Sequence, residues 1–199
     1  MPFTSFINSS TSDFHICVRR YALTHTAYKY MDIEISVRPA SFVELHLGDI
    51  RKNHIILSHE IWETFIERHV DIERFFQSNT SSLRIVYLVM EYVKIHDASV
   101  VKLIDDFCLY MKSLTILFLL KLEHCINHEY LNLCKKTKDV NAIFDQFLCC
   151  LQSVMPSAMK EDAVKILREL YDKRPVIHCE LVAYAVDELL CETLKRDDE

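Results

Sequence analysis

A chain of 199 residues, half of them apolar, is long enough for one ordinary domain or two small ones and rich enough to build real cores, which excludes a disordered tail. Its single glycine, Gly48, excludes the glycine-rich loops that cradle phosphates in nucleotide- and dinucleotide-binding folds. A formal net charge of −6 excludes a protein that coats nucleic acid by bulk charge, because counterion release needs clustered Lys and Arg; a local basic patch stays open.

Residues 1–13 are read as an N-terminal extension that lacks the basic start and continuous apolar run of a signal peptide. Four alternating runs follow. In Phe14 to Leu23, the residues Phe14, Ile16 and Val18 are expected on one face and His15, Cys17, Arg19 and Tyr21 on the other. In Ala27 to Arg38, Met31, Ile33, Ile35 and Val37 form an apolar face opposite Tyr28, Tyr30, Asp32, Glu34, Ser36 and Arg38. Phe42 to Leu47 repeats the pattern, with Val43, Leu45 and Leu47 inward and Phe42, Glu44 and His46 outward, and His54 to Leu57 closes the set. Four consecutive strands joined by short polar links predict an antiparallel meander with one buried and one open face. One helix is predicted to cover the buried face: Ser58 is placed to cap it, Glu60 suits its first turn, and Ile61, Trp62, Phe65, Ile66, His69 and Phe76 fall near one side.

Gln77 to Ser82 has the composition of a linker. Beyond it the spacing predicts helices almost without interruption to Lys195: Leu83–His96, Ser99–Met111 and Leu114–Cys134, then stripes through Val140–Leu151 with Asp139 as a cap, Ala163–Leu170, and Ile177–Leu189. Pro156 and Pro175 stand where helices can begin. The most apolar segment, Ser113 to Leu120, lies between Lys112 and Lys121 and falls well short of the roughly 20 residues that cross a bilayer. The expected fold class is therefore α+β: an N-terminal four-stranded antiparallel sheet plus one helix over 14–77, followed by an all-α helical bundle domain over 83–196, with no repeat at a solenoid period. The eight cysteines lie mostly in helix-spaced apolar segments, which fits reduced thiols in an intracellular protein, nuclear or cytoplasmic, with no membrane partner.

The junction "IILSHEIW" carries a family resemblance. A short strand of isoleucine and leucine ends at a Ser or Asn, and a Glu and a Trp then open a helix; Ile55, Leu57, Ser58, Glu60 and Trp62 stand in that order here. With "CVRRY" and "MDIEISVR" as its first strands, the block from Phe14 to Gln77 resembles the DNA-binding domain of the positive cofactor four family of transcriptional coactivators. The resemblance implies a homodimer whose sheets present a curved basic and aromatic surface to single-stranded DNA, with bases stacked on rings at about 1–3 kcal/mol each while Arg and Lys follow the phosphates. The residues it points to are Arg19, Arg20, Tyr21, Tyr28, Lys29, Tyr30, Arg38, Arg51 and Lys52, with Phe42 beside them and Arg19, Tyr28 and Tyr30 foremost. Asp32, Glu34 and Glu44 share the open face and oppose a phosphate backbone there.

Bland readings stand beside these. Trp62 fits a core position between helix and sheet, and the outward tyrosines fit ordinary cross-strand pairs. His124, His128, Cys125 and Cys134 lack structural-zinc spacings, and no C-x-x-C pair occurs, so neither metal nor cofactor is expected. No serine or cysteine has the context of an activated nucleophile, so the chain is read as non-enzymatic. The leading expectation is a single-stranded nucleic-acid-binding protein acting in transcription or replication as a homodimer, with a possible protein partner at the C-terminal helices. The rival is a structural or adaptor protein that uses the module only to dimerise and the stretch around Ile116 to Leu122 to receive a partner helix. A compact, cysteine-rich helical chain carrying one such module also resembles proteins of large DNA viruses.

Overall fold

A computed structural model describes residues 14–37, 40–78, 80–154, 165, 169 and 174–184. The described residues form two four-stranded antiparallel sheets and five helices, a mixed α+β architecture. Strands β1 (Phe14–Ala22), β2 (Lys29–Val37), β3 (Phe42–Asp49) and β4 (His54–Leu57) pair in chain order as the first sheet, as the alternation predicts. Met31, Ile33, Ile35, Val37, Leu45, Leu47, Ile55 and Leu57 are all buried on its inner face. One irregularity interrupts β1. Ile16 stands opposite Ile35 but Arg19 opposite Ile33, so Cys17 and Val18 together face the single residue between them, and Cys17 takes a left-handed φ of 55°. The Cys17 N–H, displaced from the ladder, donates to Glu180 Oε2 at 2.8 Å.

Ser58 ends β4 and caps the next helix, its hydroxyl accepting from the Ile61 N–H at 3.2 Å. The single predicted helix is two: α1 (His59–Glu67) and α2 (His69–Gln77) meet at Arg68, whose φ of −89° and ψ of 21° break the helical path. Arg68 anchors the break, donating to Asp71 and to the Arg84 carbonyl. Trp62 is fully buried, as expected of a core residue.

The region after the linker overturns the helical expectation for 83–111. It folds as β5 (Ser82–Ile85), β6 (Leu88–Ile95), β7 (Ala98–Ile104) and β8 (Cys108–Met111), again paired in chain order. Many of the apolar residues there, such as Ile85, Val89, Tyr92, Val93, Ile95, Val100, Val101 and Ile104, are β-branched or aromatic, types that lose rotamer freedom in a helix and pack well on a pleated surface. The buried set, Ile85, Leu88, Met90, Val101, Leu103, Leu109 and Met111, alternates within β6, β7 and β8. His96 and Asp97, with φ of 46° and 65°, form a tight two-residue hairpin turn between β6 and β7. Helices resume only at α3 (Ser113–Lys121) and α4 (Glu123–Val154), with a further helical run over 176–184. Helix α4 is continuous through Asp139, which therefore caps nothing. Pro156 and the Ala163–Leu170 stripe, apart from Lys165 and Glu169, lie outside the described residues, as do Arg38 and residues 1–13.

The chain thus repeats one plan, four meander strands and then helices, twice in succession. From strand end to helix the counterparts stand 54 residues apart: Ile55 and Leu109, Leu57 and Met111, Trp62 and Ile116, Phe65 and Leu119, Ile72 and Ile126, every one of them buried. The helices cross between the units. Helix α4 lies along β2 and β3. Tyr21 Oη donates to the Cys125 carbonyl at 3.4 Å, Trp62 Nε1 to Asn127 Oδ1 at 2.7 Å, and the Ser41 N–H to Asn141 Oδ1 at 2.9 Å. In return α2 meets the second sheet, where Phe75 stacks on Tyr92 of β6 at 4.9 Å. Each sheet buries its inner face partly against the other unit's helix.

Candidate functional site

The β1 irregularity decides which predicted contacts reach the open face. The extra residue flips the parity of everything after it. Arg19 stands opposite Ile33 and Tyr21 opposite Met31, so both lie on the helix side, against the expectation that placed them outward. Arg19 is exposed at that side, 6.0 Å from the Tyr21 ring, and Tyr21 is half-buried against α4. Arg20 takes the outward place instead. Its guanidinium grips Asp32 through two bonds, 2.8 and 2.6 Å, and lies 3.7 Å over the centre of the Tyr30 ring.

Tyr30 can lie flat because its cross-strand neighbour is Gly48. A Cβ at position 48 would meet Cε2, Cζ and Oη of Tyr30 at 3.0 Å. Gly48 has no positive φ, so the glycine serves space rather than backbone conformation.

At the same end of the sheet, the chain reverses twice. Asp49 organises the tighter turn: its carboxylate accepts from the backbone N–H groups of Arg51 and Asn53 and from Asn53 Nδ2, at 2.9 to 3.2 Å, and from Lys29 Nζ at 2.8 Å. Burial works to raise the Asp49 pKa, but the bonds from Lys29 and Asn53 outweigh it and hold the carboxyl below its ordinary value. Lys29 is buried in this pair, which removes it from the set of residues available to a ligand. Arg51 and Lys52 are exposed on the turn, and the Ile50 N–H donates to the Tyr28 carbonyl, so half-buried Tyr28 sits beside them. Of the nine predicted contacts, then, Arg20, Tyr28, Tyr30, Arg51 and Lys52 gather at one end of the first sheet. Arg19 and Tyr21 face the other way, Lys29 is internal, and Arg38 lies outside the described residues.

The middle of the open face holds a group the sequence reading did not assemble. Glu34 of β2 stands directly opposite Glu44 of β3, both buried, and His15 and His46 close in on them. His15 Nδ1 is 3.2 Å from Glu34 Oε1 and 3.7 Å from Glu44 Oε2; His46 Nε2 is 3.2 Å from each. Burial works against protonation of His46, but the hydrogen bond to Glu44 and the charges of Glu34 and Glu44 raise its pKa; burial is also the main cause that raises Glu34. The signal was Glu44-x-His46, two ligand types on one face of one strand, but only register brings Glu34 and His15 to it. Among the described residues, His15, Glu34 and His46 form the one group of His, Cys, Asp and Glu close enough to share a metal ion. The His124–Cys134 segment does not gather: His128 instead meets Asn132 Nδ2 at 2.9 Å.

The second sheet carries a different outer face, where Glu91, Lys102 and Tyr110 stand in one cross-strand row and Arg84 lies exposed on β5. No described helix is long and apolar enough to cross a membrane. The chain matches no family model, no curated protein and no solved structure.

Proposed function

We propose that this chain is a non-enzymatic single-stranded nucleic-acid-binding protein, similar in plan to the positive cofactor four coactivators, acting in transcription or replication. The observation that carries the reading is the end of the first sheet, where a guanidinium-backed tyrosine ring, a second tyrosine and two exposed cations lie together at Arg20, Tyr30, Tyr28, Arg51 and Lys52. Flat rings beside cations are what an unstacked strand needs, since any base can stack and phosphates follow the charges. The outer face of the second sheet, with Arg84, Lys102 and Tyr110, offers a second stretch of the same chemistry.

The doubled unit bears on the expected homodimer. Two β-meander-and-helix units packed through exchanged helices within one chain supply what two protomers supply in the resembling family, and light scattering should therefore give a monomer. Fluorescence anisotropy with a labelled oligothymidine should show binding that weakens with salt, and Arg51→Ala with Lys52→Ala should lower both the affinity and the salt slope. No binding at low salt would refute the reading.

A second reading is favoured by a cleft of about 670 Å3 between α2 and α3. Leu114 and Phe118 are exposed at its rim, while Ile116 and Leu119 of the same helix are spent in the core. An adaptor using this cleft for a partner helix would keep its partner when the oligonucleotide-binding residues are removed.

A further inference from the structure

Three ligand-type side chains at the centre of the open face, His15, Glu34 and His46, are spaced like part of a coordination shell. An ion bonded at about 2.0–2.1 Å to four tetrahedral nitrogen and oxygen ligands sets those ligands about 3.3–3.4 Å apart. Here His15 Nδ1 and His46 Nε2 each lie 3.2 Å from Glu34 Oε1, and the ligand atoms of His15, Glu34 and His46 all fall within 4.8 Å of one another. A simple network of imidazoles hydrogen-bonded to carboxylates would aim each nitrogen at one oxygen. His15 does not: its Nδ1 is buried, lies near oxygens of both carboxylates, and makes a hydrogen bond to neither. A nitrogen this close to both and bonded to neither is what a ligand to an ion at that place would be. Directly across the strand from His15, the fully buried Ser36 hydroxyl also has no hydrogen-bond partner.

We propose that His15, Glu34 and His46 bind one zinc-class divalent ion, with Glu44 bordering the site and the fourth position left to solvent. The charge arithmetic favours it. Two carboxylates placed directly opposite each other on neighbouring strands repel, and burial sharpens that cost. A divalent cation beside them lowers that repulsion. Two imidazoles with carboxylates suit zinc and its neighbours, whereas calcium takes six to eight oxygens at longer distances and magnesium keeps its waters. The ion would tie β1, β2 and β3 together at one point on the face that β1's irregularity presents. The site goes beyond the nucleic-acid reading and stands without it.

The test is Zn2+ titrated into chelator-stripped full-length protein, followed by calorimetry and thermal melting, with bound metal counted by elemental analysis. One equivalent per chain and a raised Tm are expected. The double variant His15→Ala/His46→Ala and the isosteric Glu34→Gln should each lower apparent affinity at least tenfold, while His128→Ala, away from the cluster, should bind like the wild type. Wild-type stoichiometry retained by His15→Ala/His46→Ala, or no bound equivalent in the wild type, would overturn the assignment. The double variant could fail to fold, so the wild type carries a second readout. Co2+ should give the intense visible absorption of a four-coordinate site, and the weak spectrum of a six-coordinate ion would refute the proposal with no variant needed.

Discussion

Gly48→Ala should leave the fold standing and weaken oligonucleotide binding. The new Cβ would sit 3.0 Å from three atoms of Tyr30, so the ring has to retreat by a few tenths of an ångström. It can do so, because Tyr30 is only half-buried. Two terms then oppose each other. Replacing a strand glycine reduces unfolded-state entropy and is worth about 0.5–1 kcal/mol in favour of the variant. Lifting Tyr30 off the Arg20 guanidinium forfeits about 0.5–1 kcal/mol of cation–π attraction at a partly exposed site. Stability should therefore change by less than about 1 kcal/mol, which corresponds to a Tm shift of no more than about 4 °C for a domain of this size. Binding has no such compensation: a tilted platform loses part of the roughly 1–3 kcal/mol that one stacked base contributes, so affinity should fall about fivefold, and further in Tyr30→Ala. Anisotropy and melting on the same samples separate the two effects. A large Tm loss would refute the claim that Tyr30 can move, and unchanged affinity in both variants would remove Tyr30 from the binding surface.

The remaining predictions concern the groups around it. Asp49 has a folded pKa held below its unfolded value, so its contribution is present above about pH 4 and disappears as pH falls through the folded value. Urea unfolding should therefore show the wild type losing stability in that acid window and Asp49→Asn losing little there, while at pH 7 the variant, which strands buried Lys29, is weaker by about 3 kcal/mol. Chelation of the ion held by His15, Glu34 and His46 should lower oligonucleotide affinity, because removing a divalent cation makes the centre of the open face more negative; equal affinity in loaded and stripped protein would uncouple the two sites. Trp62→Ala should cost about 3–5 kcal/mol and, because Trp62 bonds to Asn127 of α4, should reduce hydrogen-exchange protection in β6 and β7 as well as in β2 and β3. Loss confined to the first sheet would mean that the units unfold independently.

Much of the first unit was legible because one face of each strand is buried and the side-chain period of a strand is fixed at two. Met31, Ile33, Ile35, Leu45 and Leu47 announced their own direction, and Ser58 announced the helix start. The second unit was not legible for a specific reason. Runs such as Leu88–Ile95 are apolar on both faces, since Val89 and Val93 occupy the side opposite Leu88 and Met90, and a run apolar at successive positions satisfies a helical period as well as a strand period. The sign that would have decided it is the β-branched content together with His96-Asp97, a pair suited to a two-residue turn. In the candidate site, Arg19 and Tyr21 were misplaced because alternation carries no mark of an extra residue; only the pairing of Arg19 with Ile33 exposes it.

That same extra residue explains why the open face has the chemistry it has. Without it, strict alternation would put His15, Arg19 and Tyr21 on one side, as the uninterrupted pattern implies. With it, the strand presents His15 before the irregularity and Arg20 after it to the same face, opposite Ser36 and Asp32. His15 thereby reaches the Glu34–Glu44 pair, while Arg20 reaches Asp32 and Tyr30. Each acidic residue on the face acquires a basic or ligating neighbour from β1, and Tyr21 is released to the other side to bond α4. The Cys17 N–H that the irregularity frees is taken by Glu180 of the 176–184 run, whose Tyr184 also donates to the His15 carbonyl at 2.7 Å. The strand's departure from regular pairing is thus held from outside by the last described segment. A perturbation there, far along the chain from the open face, acts on the register that sets which side chains the face displays.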